Sequence, residues 1–154
     1  MSILVTGAAG FIGSNFVLDW FEHNNESLIS LDKLTYAGNL ENLQSLQKDP
    51  RHIFIKGDIG NQALVSSILK VHQPRAVINF AAESHVDRSI HGPQDFIETN
   101  IVGTYNLLES IRHYWADLDE KSKENFRLVH ISTDEVYGSL ALNEPAFTET
   151  HTYE

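Results

Sequence analysis

Two neighbouring carboxylates and a hydroxyl, Thr133-Asp134-Glu135, follow directly on the apolar run Leu128-Val129-His130-Ile131-Ser132. One carboxyl can give a proton while the other takes one, which is the equipment for removing a proton from carbon and protonating a departing hydroxyl. On a continuing strand Asp134 and Glu135 would point to opposite faces. A turn after Thr133 would bring both to one cavity. In an arbitrary turn such a pair is simply two solvated acids, so its meaning depends on what stands nearby in the fold.

A second set of residues suits phosphate. Gly7-Ala8-Ala9-Gly10-Phe11-Ile12-Gly13 follows the short apolar run Ile3–Thr6 and opens a helical pattern. Glycines at this G-x-x-G-x-x-G spacing allow a tight turn, close approach of backbone to a pyrophosphate, and close packing of helix on strand. The N–H groups and positive dipole end of the helix, from Phe11 through Gly13, then face the diphosphate. Asp32 closes the second apolar run, 19 residues past Gly13. Its carboxylate can accept hydrogen bonds from both ribose hydroxyls and repels a 2′-phosphate, which favours NAD over NADP. Lys33, beside it, pulls the choice the other way. Two further run ends fit a dinucleotide: Gly57-Asp58-Ile59 where an adenine would lie, and Phe80-Ala81-Ala82-Glu83-Ser84, whose small residues let a cofactor approach.

The elements that must position these groups alternate. Ile3–Thr6, Leu28–Leu31, Ile53–Ile55, Ala76–Phe80 and Leu128–Ser132 are near-continuous apolar runs, as expected of strands covered on both faces. Helices are expected from Phe11 to about Phe21, around Leu64, Val65, Ile68 and Leu69, and from Pro93 to about Trp115. In the last, Ile97, Ile101, Thr104, Leu108, Ile111 and Trp115 form the expected buried stripe, and Pro93 suits the first turn. Gly103 inside it costs roughly 1 kcal/mol relative to Ala, which predicts a close contact using the missing side chain. The βαβαβ succession implies an α/β fold with a doubly wound parallel sheet of Rossmann type. After the fifth strand come Glu144-Pro145 and a polar stretch to Glu154, so the chain is expected to stop within its domain, after about the fifth strand.

Bulk composition narrows the function classes. The chain has 154 residues, 42% hydrophobic and 21% charged, with a net charge of −10, which argues against nucleic acid and anionic membranes as partners. There is no cysteine, hence no thiol nucleophile or thiolate metal site. The N-terminal run has no basic leader and no stretch approaches a membrane span, so a cytoplasmic protein is expected. Among the eight histidines, His85 and His91 with Asp87 invite a metal reading, but their spacing matches no metal signature, and no metal is expected. Tyr114 and Trp115 are expected to be packing residues.

Across essentially the whole chain these motifs resemble the dTDP-glucose 4,6-dehydratases of the extended short-chain dehydrogenase/reductase superfamily. The resemblance is carried by the Gly7–Gly13 turn, Leu31–Asn39, Ala81–Ser89, Thr99–Thr104 and Thr133–Gly138. The Thr-Asp-Glu triplet discriminates: related epimerases carry small or hydroxyl residues in place of the acids, and GDP-mannose dehydratases keep the glutamate but not the aspartate. The resemblance implies a lyase with bound NAD that oxidises C4 of dTDP-glucose, eliminates water across C5 and C6, and returns the hydride to C6. It makes Asp134 the acid, Glu135 the base and Thr133 a contact to the sugar near C4. Ser84 would touch sugar and cofactor, and Lys33, Leu34, Thr35 and Thr99 would join the cofactor set. It further implies a homodimer through the long helix.

The family also uses a Tyr with a Lys four residues on, to take the C4 hydroxyl proton. Here Tyr36, Tyr105, Tyr114 and Tyr137 are followed at that distance by Leu40, Glu109, Leu118 and Ala141, and for Tyr153 the position lies past Glu154. The chain is therefore expected to be the N-terminal part of such an enzyme, inactive alone. An epimerase or decarboxylase of the same fold, and a non-catalytic NAD-binding module, stay open as alternatives.

Overall fold

Side chains alternate across a strand, and here both alternating sets are apolar, so each face of the sheet must be covered. Leu4, Ile29, Leu31 and Val77 form one core with Val65, Ile68 and Leu69 and with Leu107 and Ile111. Ile3, Val5, Leu28, Ala76 and Ile78 form the other with Val17, Leu43 and Leu46. Full burial of each such Val, Leu or Ile side chain is worth roughly 1.5–3 kcal/mol, so two layers of helix on one sheet follow from the strand sequences themselves. The computed structural model describes residues 1–153, apart from the side chains of Val86, Arg88 and His91.

The strands are β1 (Ser2–Thr6), β2 (Ser27–Asp32), β3 (His52–Lys56), β4 (Ala76–Asn79) and β5 (Arg127–His130). They form one sheet in the order β3-β2-β1-β4-β5, parallel at every pairing. This is the doubly wound Rossmann-type α/β fold, in which the strand order reverses between β1 and β4 and opens a crevice at the carboxyl ends. Helices α1 (Phe11–His23) and α2 (Gln62–His72) match the periodicity. α3 (Val86–His91) and α6 (Glu120–Asn125) are short, and α6 is capped by the Asp119 side chain, which accepts from Ser122 N–H. No described helix is long and apolar enough to cross a membrane.

The long helix departs from expectation. It comprises α4 (Pro93–Phe96), a π-helical stretch Ile97–Gly103, and α5 (Thr104–Ala116). Each π turn spaces its hydrogen bonds by five residues rather than four, so the inward face after it is rotated relative to a regular helix. Of the expected stripe only Ile111 is buried. Ile97, Ile101, Leu108 and Trp115 are exposed, and the buried face is Gly103, Leu107, Ser110 and Ile111. Gly103 does make the close contact its missing side chain foretold. A Cβ there would lie 3.3 Å from Ile59 and 3.2 Å from the Glu98 carbonyl. Tyr114 packs on Phe126 and donates to Pro74 O, as a packing residue should.

β5 is the second departure. It pairs with β4 but forms the sheet edge, and Leu128, Val129 and Ile131 are exposed rather than covered on both faces. Among the described residues, only the four-residue 3-10 turn Asp134–Tyr137 follows it.

Candidate active site

The glycine turn is built by packing as much as by ligand access. Gly7 takes φ +65°, and a Cβ there would stand 2.6 Å from the backbone of Phe80 and Ala81. Any side chain would therefore collide with the chain leaving β4. A Cβ on Gly13 would fall 2.2 Å from Gly7 O, so α1 rests directly on the turn. Gly10 differs: its nearest contact would be 3.4 Å away, which leaves the turn open towards the crevice. The first hydrogen bond of α1 runs from Ser14 N to Gly10 O, so the N–H groups of Phe11, Ile12 and Gly13 have no intrahelical acceptor. The first turn carries no acidic residue, and this donor set fits a diphosphate.

Asp32 is buried, and its carboxylate braces the turn. Oδ2 accepts from Ala9 N–H at 2.8 Å and Oδ1 from Leu34 N–H at 2.7 Å. Leu34 is thereby held at φ +55°, a left-handed conformation that costs a non-glycine residue roughly 1–2 kcal/mol and bends the chain back over the crevice. Ala9 O accepts from Asn39 N–H and Asn42 Nδ2, both at 3.0 Å, so the segment after β2 clamps the glycine turn from its far side.

The loops after β3 and β4 complete the crevice. Gly57 N donates to Asp32 O at 2.9 Å, which sets the two loop exits side by side. Asp58 Oδ2 lies 2.7 Å from Lys33 Nζ, and burial alone would push the Asp58 carboxyl up. The Lys33 ammonium and the Gly60 N–H outweigh that and hold it below the usual range. Beyond β4, Asn100 takes Glu83 by both backbone groups, accepting from its N–H and donating to its carbonyl at 2.8 Å each. Tyr36 donates to Glu83 Oε2 and stacks near His85.

Together these loops border an open crevice at the carboxyl ends of the strands. Of the residues assigned from sequence, Gly7, Gly10, Asp32, Lys33, Thr35, Asp58, Ile59, Phe80, Ala81, Ala82, Glu83 and Thr99 line it. Phe11, Ile12, Gly13, Leu34 and Ser84 stand outside that lining. Gly57, at the run end expected beside the adenine, also lines it, as do Leu31, Ala37 and Gly38, to which the sequence assigned no site role. Gly38 had a readable role only in three dimensions, since a Cβ there would sit 2.7 Å from Asp32 Oδ1. Asn39, Asn42 and Asn100 were likewise missed as braces, because their bonds go to distant backbone rather than along a motif.

The acid triplet lies on the same rim but not in the crevice lining. Ile131 N–H donates to Asn79 O at 3.1 Å, carrying the β4–β5 pairing one residue past β5. A single 3-10 turn, Asp134–Tyr137, follows, capped by Thr133. Thr133 Oγ1 donates to Glu135 Oε2 at 3.0 Å, and all three side chains are exposed. The His85, Asp87 and His91 group, set aside as a metal site on its spacing, lies partly outside the described residues, since the His91 side chain is among those not described. The acidic cluster that does assemble, Asp19, Glu22 and His23, is exposed on α1, away from the crevice.

Residues 4–154 match the family model described as GDP-mannose 4,6 dehydratase. The chain belongs to this family. Members can differ in the sugar nucleotide they are named for: the dTDP-glucose 4,6-dehydratase of Xanthomonas campestris pv. campestris is 57% identical over 150 residues, covering 97% of this chain and 42% of that protein. A dTDP-glucose 4,6-dehydratase from Streptomyces venezuelae, solved with NAD bound, superposes with a TM-score of 0.84 at 43% identity, over 100% of this chain and 45% of that one. A UDP-glucose 4-epimerase from Thermotoga maritima, solved with UDP-glucose, gives 0.80 at 31% identity, again over 100% and 45%. The chain thus spans less than half the length of these relatives.

Proposed function

We propose that this chain binds NAD in the crevice and carries the elimination acids of a dTDP-glucose 4,6-dehydratase. The observation that supports it best is spatial. The ends of β1, β2, β3 and β4 converge on one crevice, and the next strand on the same rim delivers Thr133-Asp134-Glu135 on a turn. The diphosphate is held by the Phe11–Gly13 N–H groups, the adenosine ribose by Asp32 and the adenine beside Asp58 and Ile59. Bound there, NAD supplies a hydride acceptor for C4, which acidifies the C5 proton, and a donor for C6. Glu135 removes the C5 proton, and Asp134 protonates the departing C6 hydroxyl. Thr133, already bonded to Glu135, orients that carboxylate and contacts the sugar. Relatives at 57% identity named for dTDP-glucose support that sugar nucleotide over GDP-mannose.

The reading extends to a cytoplasmic homodimer. Exposed Ile97, Ile101, Tyr105 and Leu108 along one helix supply an apolar surface for a second copy. Ile101→Glu should then shift the protein to monomer in sedimentation analysis.

The catalytic roles are tested in a chimera joining residues 1–154 to the remaining portion of the Xanthomonas relative. With dTDP-glucose, Asp134→Asn and Glu135→Gln should accumulate reduced cofactor absorbance without product, each with turnover lowered about 10²- to 10⁴-fold. Normal turnover by both variants would remove these acids from the mechanism.

A further inference from the structure

Asp32 and Lys33 act oppositely on the same choice. A fixed carboxylate at the end of β2 repels a 2′-phosphate, whereas a cation beside it accommodates one. Lys33 is the only Lys or Arg among the described residues lining the crevice. Its ammonium is not left facing the ribose end, however. Nζ lies 2.7 Å from Asp58 Oδ2, and Asp58 is itself fixed, with Oδ1 accepting from Gly60 N–H at 2.8 Å. Gly60 is held in turn from α5, by Asn106 Nδ2 donating to Gly60 O at 3.0 Å. The cation that could serve a 2′-phosphate is thus engaged by a carboxylate anchored on the neighbouring strand's loop.

We infer that Asp58 is a cofactor-specificity residue, which holds Lys33 away from the 2′ position and so reinforces the selection by Asp32 for a dinucleotide with a free ribose 2′-hydroxyl. The inference rests on the crevice being a dinucleotide site. It assigns to Asp58 a role distinct from touching the adenine: it acts through Lys33. The Lys33 charge is drawn to and largely offset by the Asp58 carboxylate 2.7 Å away, so removing that carboxylate frees the cation to favour a 2′-phosphate.

The test is titration of this chain with NADH and with NADPH by cofactor fluorescence, with circular dichroism to verify folding. Asp58→Asn should raise the NADPH-to-NADH affinity ratio about 3- to 5-fold, the range for a partly exposed ion pair. Any loss of adenine contact lowers both affinities and cancels in the ratio. Asp58→Asn combined with Lys33→Met should return the ratio to the wild-type value. Lys33→Met alone, which removes an already engaged cation, should change it less than about twofold. The inference is overturned if Asp58→Asn leaves the ratio unchanged, or if the double variant keeps the gain, which would assign it to lost negative charge alone. A large drop in the ratio for Lys33→Met would also overturn it, and that arm stands even if Asp58→Asn fails to fold. No NADH binding by the wild-type chain would instead sink the dinucleotide reading, and this inference with it.

Discussion

The phenol of Tyr36 and the carboxylate of Glu83, 47 residues apart in sequence, meet at 2.9 Å between the loops that leave β2 and β4. Thr35 and Ala37, on either side of Tyr36, line the crevice, as does Glu83. The Glu83 backbone is bonded to Asn100 on the π-helical stretch, one residue past Thr99. One glutamate therefore ties together three of the segments that border the cofactor site. Tyr36→Phe removes the clasp while keeping the ring. Because the pair is exposed, its loss should cost less than about 1 kcal/mol of stability. Release of NADH should quicken, and stopped-flow displacement of bound NADH measures it. An unchanged release rate would show that the clasp does not hold the loops over the ligand.

Two glycines of the turn, Gly7 and Gly10, should separate experimentally. Gly7→Ala forces a Cβ to within 2.6 Å of the β4 exit at a positive φ, so it should destabilise the fold by at least about 2 kcal/mol in urea unfolding. Gly10→Ala meets only an ordinary contact at 3.4 Å and should unfold like the wild type. Its methyl group nevertheless projects where a pyrophosphate would approach, so NAD affinity should fall at least tenfold by calorimetry. Equal affinity for both proteins would mean that the diphosphate does not pass over Gly10.

Asp32→Ala should lose more than a ribose contact. The Ala9 and Leu34 N–H groups would lose their carboxylate acceptors, and the buried one costs roughly 1–3 kcal/mol when left unmade. Denaturant unfolding should show that loss even without ligand, alongside weakened NAD binding. Full stability with weak binding would mean that the bracing role assigned to Asp32 is wrong.

Stability should also respond to acid through Asp49. Hydrogen bonds from the Arg51 guanidinium, then from its backbone N–H, pull the Asp49 carboxyl down to about 2. A carboxyl depressed in the folded state adds stability above its unfolded pKa and loses it as the pH falls towards the folded value. The difference in melting temperature between wild type and Asp49→Asn should thus be present at pH 6 and shrink between about pH 4 and 2. A difference that persists at pH 2 would place the effect in packing, since Arg51 also lies over Phe21.

What residue order alone determined is local in its physics. The five apolar runs, the glycine turn after β1 and the acid closing β2 follow from side-chain alternation, turn conformation and helix-end chemistry, which act over a few residues. The fold class and the location of the crevice came with them, since a βαβ succession places its ligand rim at the strand ends. The packing of three loops decided the rest. No periodicity reveals that Lys33 faces Asp58, that Asn100 grips Glu83, or that Asn39 and Asn42 brace Ala9, for each bond joins segments that come together only once the sheet is ordered. The long helix shows the same division. Its existence was legible from Pro93 onward, but its buried face was not: past one π-helical stretch, with Gly103 seated on Ile59, Leu107 and Ser110 face inward and Ile101 and Leu108 stand in solvent. Spacing along a chain fixes relative angles on a regular helix, and only contact with the neighbouring loop determines where that regularity is broken.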